Sequence, residues 1–426
     1  MFGAKKKEPH DVFTPRSPTI NESMYVPRPD LEQALKNALR GGLHVIVHGE
    51  SGSGKSWLYK KVLKDMGATV ETANLANASR LKSVMGELEN VLGRQGKATK
   101  TGYAESKSAE LSAGFASGTL DHTGEYSIGQ KEPLEACFEN VRSRAGSNIA
   151  CVVLDNLESI FSMPEIMKEL ADIIVLLDDE RYARHNVKLL IVGVPAGVKE
   201  YFSKTPNMAT VANRLYETPE VSRLTSDQAS ELIRRGFVDE LKFAVQGSDL
   251  QTIVDHARWV TDRVPQRIHE YCLELALLGE PKNSLSLDLL PAADNAWLGN
   301  SLSADYAVVQ GFLNARETKV GRKNQCLFAL GKITTDEFKV ADLESMIRQE
   351  FPNSTSGIGN LNTNPILGEF MKSDLPLVKR APKGDSYMFT DPKYRMCIRS
   401  MLTKTESESV AKVELRAISE RSKQSL

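Results

Sequence analysis

At 426 residues the chain is longer than one ordinary hydrophobic core requires, so two or three domains are expected. Hydrophobic residues make up 41 % of the chain and charged residues 26 %, which is typical of globular proteins, and no apolar run is long enough to span a bilayer. The formal net charge of −1 excludes a uniformly basic protein, so any contact with nucleic acid must come from a local basic patch.

The N-terminal sequence MFGAKKKEPHD has a basic cluster but lacks the apolar segment and small-residue cleavage site of a secretory signal. We therefore expect a cytoplasmic protein without membrane contact. The five cysteines are odd in number and have no CxxC spacing, which argues against a disulfide framework and against a zinc site. They are Cys137, Cys151, Cys272, Cys326 and Cys397.

A phosphate-binding pattern follows the first apolar run. Residues 43–48 predict a buried parallel strand, and recurring apolar positions from Lys55 to Leu63 predict a helix. Between them lies a complete G-x-x-x-x-G-K-S pattern, in the strand-to-helix context that this motif requires. Its residues, named here the glycine loop, are Gly49, Glu50, Ser51, Gly52, Ser53, Gly54, Lys55 and Ser56. We predict that these residues and Trp57, the next residue of the helix, bind the ligand.

The residue types of the glycine loop suit a triphosphate bound with a metal ion. Glycines let backbone N–H groups approach a polyanion closely, and the start of the helix adds partial positive charge at the same place. Lys55 is predicted to reach the outer phosphates, and the Ser56 hydroxyl to ligate Mg²⁺. We therefore predict ATP and Mg²⁺ as the ligands; the alternative is a glycine-rich turn without a ligand.

Such a site needs a second acidic group to hold the water shell of the metal. The apolar run 150–154 ends in Asp155, which we predict to be this metal-side carboxylate. The general base is less well defined, because Asn156 follows and the nearest glutamate is Glu158. Glu158 is the candidate for activating water; the alternatives are an exposed loop or helix-cap acid, and slow hydrolysis.

Three further apolar runs predict strands, around Val70, from Val187 onwards and near Val221. With the runs at 43–48 and 150–154, five strands alternate with helical segments. This alternation predicts an α/β fold in which a parallel sheet of the P-loop NTPase type is covered by helices on both faces.

Residues 93–131 interrupt this pattern. They are rich in Gly, Ser, Thr and Ala and have few large apolar groups, so we predict a mobile insertion. A loose alternation within the segment also allows a protruding β-hairpin, and by analogy with ATPases of this shape such an insertion would touch nucleic acid or a neighbouring subunit. A solvated loop is the simpler alternative.

The remainder of the chain predicts helices and a hairpin. Residues 225–300 contain periodic helical segments that open with a Thr/Ser/Asp cap, and they predict a small helical lid. From residue 301, three helical patterns precede two strand-like runs joined by a turn at 382–385. This order resembles that of a winged-helix domain, in which the third helix of DNA-binding members enters the major groove and the wing touches phosphates.

The densest basic cluster lies in the hairpin region. Between residues 376 and 404 seven basic residues stand against only two aspartates, which allows weak nonspecific contact with DNA phosphates. The predicted third helix has few basic groups, which weakens sequence-specific reading. The seven basic residues are Lys379, Arg380, Lys383, Lys393, Arg395, Arg399 and Lys404.

These motifs resemble those of AAA+ ATPases, particularly the branch of origin-recognition initiators and transposon ATP-binding subunits, and those of the related STAND switch ATPases. The segment YVPRPDLEQAL resembles the family's approach to the first strand, which borders the adenine. The resemblance implies nucleotide contacts by Val26, Pro27 and Arg28. The segment NMATVANRLYE resembles the one that carries an arginine finger, which implies that Arg214 reaches the γ-phosphate of a neighbouring subunit. The alternative is an arginine paired with surface acids such as Glu217.

The segment VTDRVPQRIHEYCLELAL resembles the family's lid helix, which implies that Arg267 is a second sensing arginine over the nucleotide. Pro265 suits the first turn of that helix, where its missing N–H does no harm. The sequence departs from the family at the end of the strand that begins at Val187. In the family a polar first-sensor residue usually stands there, whereas here Gly193 and two further nonpolar residues follow. Together with Asn156, this departure implies slow hydrolysis.

The leading hypothesis is an ATP-binding AAA+ protein that hydrolyses ATP slowly, assembles as a homo-oligomer through its nucleotide sites and binds double-stranded DNA, acting as a nucleotide-controlled switch or loader. The alternative is a STAND-like signalling ATPase, for example in antiviral defence, that controls a separately encoded effector protein. A third reading is an ATP-binding scaffold that never hydrolyses. The predicted segments are a tail at 1–24, a nucleotide-binding domain at 25–224, the lid at 225–300, the winged helix at 301–403 and a polar tail at 404–426.

Overall fold

The chain forms two compact units in the computed structural model. The sheet unit is Pro27–Ser222, and the helical unit combines Met1–Val26 with Arg223–Leu426. The structure describes residues 7–93, 132–193, 197–205, 209–314, 321–382 and 384–413. The predicted insertion from residue 94 to 131, Lys383 of the predicted turn, and the predicted tail from residue 414 onwards therefore lie outside the described residues.

The sheet unit follows one short helix of the helical unit, α1 (Pro9–Val12). Its strands are β1 (His44–His48), β2 (Thr69–Asn74), β3 (Ala150–Asp155), β4 (Val187–Gly193) and β5 (Leu215–Glu217). Its helices are α2 (Pro29–Arg40), α3 (Lys55–Asp65), α4 (Leu75–Leu81), α5 (Val84–Gly93), α6 (Pro133–Ala145), α7 (Pro164–Leu176), α8 (Glu180–Ala183), α9 (Val198–Lys204) and α10 (Ala209–Ala212).

The five strands form one parallel sheet in the order β2-β3-β4-β1-β5. The central strands are almost wholly apolar because both faces of the sheet are covered. Ile46, Val152 and Ile191 face one core, while Val45 and Val47 face another together with apolar side chains of α3. The predicted α/β fold is confirmed. At the carboxyl end of the strands, the glycine loop follows β1 and Asp155 is the last residue of β3.

The fifth strand lies earlier than the sequence predicted. It spans Leu215–Glu217 rather than the region near Val221. Pro219 has no N–H to donate to a ladder, so pairing ends before it. Val221 instead donates its backbone N–H to the His48 carbonyl at 2.9 Å, which places the chain beyond β5 beside the start of the glycine loop.

The helical unit is built mainly from helices with two small sheets. Its helices are α11 (Ser226–Arg234), continued by a π-helical segment (Arg235–Glu240), α12 (Gly247–Val260), α13 (Pro265–Gly279), α14 (Leu290–Ser301), α15 (Ser303–Phe312), α16 (Arg322–Lys332), α17 (Val340–Glu350), α18 (Pro352–Thr355), α19 (Thr363–Met371) and α20 (Pro392–Met401). Its strands are β6 (Glu337–Phe338), β7 (Val378–Arg380), β8 (Tyr387–Phe389), β9 (Leu402–Lys404) and β10 (Val410–Lys412).

Helix ends in this unit follow the signals in the sequence. Thr225 caps α11 by accepting a hydrogen bond from the Gln228 N–H, and Pro265 occupies the first turn of α13. The three helical patterns after residue 301 become α16, α17 and α19, and the strand-like runs pair as the antiparallel β7 and β8. The sequence missed β6, which pairs with β8, and the helix α20.

A single apolar cluster extends through the helical unit, from Val12 near the N-terminus to Leu402. Phe13 reaches this cluster beside Gly236, where an added Cβ would lie 2.3 Å from the phenyl ring. Helices of the predicted lid and of the C-terminal segment therefore share one core. All five cysteines are buried thiols, and within the described ranges no helix is long and apolar enough to cross a membrane.

Candidate functional site

The glycine loop turns the chain from β1 into α3 through backbone conformations that favour glycine. Gly49, Gly52 and Gly54 have φ angles of 152°, 81° and 93°. A Cβ at Gly49 would lie 2.4 Å from the carbonyl oxygen of Val221, so no side chain fits there. Helix α3 begins at Lys55. The N–H groups of its first turn therefore lie at the loop, where the helix dipole favours an anion.

Lys55 bends back onto the loop that precedes it. Its Nζ donates to the carbonyl oxygens of Gly49 at 2.9 Å and of Glu50 at 2.8 Å. Burial lowers the pKa of Lys55, and the negative charges of Glu158 and Asp155 oppose this effect. Both predicted acidic residues are thus close enough to Lys55 to act on its charge.

Asp155 is held at both carboxylate oxygens. The Tyr59 hydroxyl donates to Oδ2 at 3.0 Å, and the backbone N–H of Asn156 donates to Oδ1 at 2.9 Å. Tyr59 follows Lys55 by one turn of α3, so both residues lie on the same side of the helix. Helix α3 therefore joins the glycine loop to the end of β3.

Glu158 lies in a 3₁₀ turn at the same edge of the sheet. This turn (Leu157–Ser159) passes close to Gly193, the last residue of β4. A Cβ at Gly193 would lie 2.6 Å from Leu157 Cβ and 3.3 Å from Glu158 Oε2. The glycine at the end of β4 therefore leaves room for the turn that carries Glu158. Residues 194–196, which complete the departure noted in the sequence, lie outside the described part of the chain.

Ser53 gives a test of whether this loop suits a bound anion. Its side chain is fully buried, and its Oγ has no hydrogen-bond partner within the described residues. A buried hydroxyl without a partner costs free energy unless a ligand or water satisfies it. The carboxylate oxygens of Asp155 and the hydroxyl oxygen of Ser56 are also the hard ligands that Mg²⁺ prefers. The residues present fit a nucleotide with its metal.

Arg28 contacts the glycine loop, although the family resemblance implied a contact with the base. Its guanidinium donates to the Ser53 carbonyl at 2.7 Å and to the Ser222 carbonyl at 3.0 Å. The motif gives no signal of this contact, because Arg28 belongs to a different part of the sequence. Val26 is buried and belongs to the helical unit, so its predicted contact with a base stays a prediction.

Arg214 lies at the amino end of the parallel strands, opposite to the end that carries the glycine loop. It directly precedes β5, and its carbonyl accepts a hydrogen bond from His44 at the start of β1. Its guanidinium pairs with Asp178 at 2.6 Å, so the acid it contacts is not the Glu217 considered from the sequence. Because β1 and β5 are parallel, Arg214 and the glycine loop stand at opposite ends of β1. Arg214 is therefore not directed at the phosphates of its own chain.

Arg267 is paired within its own helix. Its guanidinium donates to both carboxylate oxygens of Glu270, at 2.8 Å and 2.7 Å, and only 7 % of the residue is exposed. The indole N–H of Trp297 lies 3.4 Å from the same carboxylate. The positive charge of Arg267 is thus compensated inside the helical unit, and its predicted role as a sensing residue stays a prediction.

The basic cluster near the C-terminus is largely neutralised. Arg395 and Arg399 are buried side chains that pair with Asp262 at 2.6 Å and 2.9 Å. Two of the seven basic residues counted in the sequence are therefore not available to a phosphate, because their guanidiniums are buried and paired. Of the other members, Lys393 pairs with Asp305 and Asp391, and Lys404 pairs with Glu350. Lys379 and Arg380 are exposed on β7.

Comparison with known proteins identifies the glycine-loop region. A family model described as "AAA domain" matches residues 39–202, which is less than half of the chain. This range therefore forms an AAA domain, and it contains strands β1 to β4 of the sheet described above. No curated protein matches the chain.

Several solved structures match the chain at low identity. Cdc6p from Pyrobaculum aerophilum is 14 % identical over 90 % of this chain and 98 % of its own, with a TM-score of 0.44. A Walker-type ATPase of Pyrococcus abyssi is 15 % identical over 91 % and 99 %, with a TM-score of 0.49. The Aeropyrum pernix ORC1 protein, solved in complex with DNA, is 13 % identical over 92 % and 96 %, with a TM-score of 0.41.

Proposed function

Because residues 39–202 form an AAA domain, we propose that the protein binds ATP with Mg²⁺ at the glycine loop and hydrolyses it slowly. One observation carries the proposal: α3 brings the glycine loop and the carboxylate of Asp155 together, with Tyr59 donating to that carboxylate at 3.0 Å. A phosphate-binding loop beside a fixed acid is the minimum that metal-assisted phosphoryl transfer requires.

Each side chain then has a distinct task. The Lys55 ammonium binds the outer phosphates, and its place at the start of α3 adds the partial charge of the helix. The Ser56 hydroxyl and Asp155 hold the metal and its water shell. Bound Mg²⁺ supplies positive charge that neutralises the phosphates during the reaction. Glu158 accepts the proton of the attacking water.

Slow rather than rapid turnover is supported by the end of β4. Gly193 offers no polar side chain there, and Leu157 and Glu158 fill the space beside it. Among the described residues at this end of the sheet, Glu158 is the acid proposed to orient the water, and it is an exposed residue. An exposed carboxylate positions water less well than a buried, fixed group, because orientation is a large part of catalysis.

We also propose that the nucleotide site of one copy of the chain is completed by Arg214 of a neighbouring copy. Arg214 stands at the amino edge of the sheet, away from the glycine loop of the same chain. In a homo-oligomer it would exchange Asp178 for the γ-phosphate of a neighbour and stabilise the charge that develops there.

Two single variants, Glu158→Gln and Arg214→Ala, test the proposed general base and the proposed sharing of sites between subunits. Each variant alone is expected to hydrolyse ATP about 100-fold more slowly, because one loses the general base and the other the charge from the neighbour. An equimolar mixture should regain activity, since Arg214→Ala subunits supply Glu158 and Glu158→Gln subunits supply Arg214. Phosphate release measures hydrolysis, and calorimetric titration with ATP should give wild-type affinity for Glu158→Gln.

The control for this experiment is Glu165→Gln, which changes an exposed glutamate in the first turn of α7. It should retain wild-type hydrolysis. A mixture no more active than its components would argue against sites shared between subunits. Full activity of the Glu158→Gln variant alone would show that Glu158 is not the general base, and it would leave the assignment of the nucleotide site unchanged.

The C-terminal part is proposed to be a winged helix with a regulatory role. The order α16, β6, α17, α19, β7, β8 and the antiparallel pairing of β8 with both β6 and β7 support the fold. The burial of Arg395 and Arg399 against Asp262 supports packing on the lid helices rather than on a polyanion. The protein would then be a nucleotide-controlled switch whose output passes to a separately encoded effector protein.

Double-stranded DNA is the second candidate partner, favoured by the exposed Lys379 and Arg380 on β7. If these two residues meet phosphates, the slope of log affinity against log salt should be about −2, and Lys379→Glu with Arg380→Glu should lower affinity about tenfold. Fluorescence anisotropy with duplex DNA at 50 and 200 mM salt (roughly the range over which such contacts weaken) measures both. Lys282→Glu, an exposed lysine elsewhere in the helical unit, is the control. Absence of binding at the lower salt would exclude this candidate and leave the effector hypothesis.

A further inference from the structure

The hydroxyl of Tyr59 is a polar group in an otherwise apolar position. Tyr59 is 1 % exposed and packs with Leu58, Val62 and the β1 residues Val45 and Val47. A phenylalanine would fill the same space without burying a hydroxyl. The hydroxyl is satisfied by Asp155 Oδ2 at 3.0 Å. Its partner is therefore the carboxylate at the end of β3.

We propose that Tyr59 is a positioning residue, whose hydroxyl fixes the orientation of the Asp155 carboxylate for the metal that accompanies the nucleotide. The inference rests on the proposed function of the glycine loop. It assigns a role to a residue outside the phosphate-binding motif.

The second carboxylate oxygen is fixed from the other side. Asn156 has a left-handed backbone conformation, with φ 66°, and its N–H donates to Asp155 Oδ1 at 2.9 Å. Its side-chain amide donates to Asn74 Oδ1 at 2.9 Å, which anchors it to the end of β2. With one donor on each oxygen the carboxylate cannot rotate, while each oxygen keeps a lone pair for the water shell of a metal.

If the Asp155 carboxylate could rotate freely, it could pair with the Lys55 ammonium instead of a metal. Asp155 is one of the acids whose charge opposes the effect of burial on the pKa of Lys55. If the carboxylate turned towards the ammonium, the pair would compete with both the phosphates and the metal. The Tyr59 phenol is protonated at neutral pH and donates to Asp155 Oδ2 at 3.0 Å. Tyr59 thus keeps Asp155 available for the metal side.

Tyr59→Phe removes the hydroxyl and keeps the ring. We expect ATP affinity in excess Mg²⁺ to fall about tenfold, since a hydrogen bond to a charged group is lost, and ATP affinity in EDTA to stay within about twofold of wild type. Calorimetric titration of the full chain with ATP under both conditions measures the difference. In an Asp155→Asn background, Tyr59→Phe should have no further effect on the Mg²⁺ dependence, because the group it positions has lost its charge.

The matched control is Tyr182→Phe. Tyr182 is a buried tyrosine of the same unit whose hydroxyl donates to Glu132 at 3.1 Å, so the same atom is removed from the same kind of bond. It should leave both affinities unchanged, and circular dichroism should show both variants folded.

Two failures can be told apart. If Tyr59→Phe has the Mg²⁺ dependence of wild type, or a stronger one, the hydroxyl does not position Asp155 and the inference is overturned while the nucleotide site stands. If the wild-type chain binds ATP in neither condition, the proposed function itself fails.

Discussion

Replacing Lys55 by alanine is expected to weaken ATP binding about 100-fold or more, because the charge-assisted bonds to the outer phosphates are lost in a partly buried site. The folded state should survive the change. In the structure Lys55 contributes two hydrogen bonds to loop carbonyls, of Gly49 and Glu50, and its charge is itself disfavoured by burial. Calorimetric titration with Mg-ATP measures the effect, and circular dichroism verifies the fold.

Lys64→Ala provides the control for this prediction. Lys64 is an exposed lysine in the last turn of the same helix, α3, at the end away from the glycine loop. Its removal should leave ATP affinity unchanged. Wild-type affinity in Lys55→Ala would contradict the assignment of the whole site, since no other residue of the motif carries positive charge.

Replacing Asp262 by asparagine is expected to destabilise the helical unit by about 3 kcal/mol, because three arginines would lose a buried counter-charge. The Asp262 carboxylate pairs with Arg223 at 2.8 Å, Arg395 at 2.6 Å and Arg399 at 2.9 Å. Burial lowers the pKa of Arg399 to about 10, and Asp262 opposes this. Asparagine keeps the shape and suits the left-handed backbone at this position, where φ is 52°.

Urea unfolding followed by tryptophan fluorescence measures this loss, and Asp336→Asn is its matched control. Asp336 contacts two of the same arginines, Arg223 and Arg395, but its side chain is 63 % exposed. Water screens such pairs, so the control should lose less than about 1 kcal/mol. Equal effects of the two substitutions would show that burial of Asp262 does not set the strength of the network.

This network also changes how the C-terminal basic residues are understood. In the sequence, Arg395 and Arg399 are indistinguishable from exposed residues, because charge spacing carries no information about the far-off Asp262. In the structure α20 turns both side chains inward, and the Arg399 guanidinium also lies 3.7 Å from the centre of the Trp259 ring. A net charge counted along the chain overestimates a phosphate-binding surface whenever acids from distant segments fold against it.

Local signals were sufficient for most elements of the sheet unit. Apolar runs predicted β1, β3 and β4, and a motif of fixed spacing predicted the loop and the start of α3. The fifth strand was misplaced because Val221 is apolar for another reason: its side chain is buried in the core formed with residues of β1 and α3. Small elements such as β6 were missed because two residues carry no periodicity.

The sequence alone determined the glycine loop, the acid at the end of β3 and the parallel sheet that aligns them, because these follow from spacing and periodicity over a few neighbouring residues. Only the tertiary structure decided the contacts of Arg28 with Ser53, of Tyr59 with Asp155 and of Arg395 with Asp262. Each of these joins residues far apart in the chain, and such contacts depend on how the strands and helices pack.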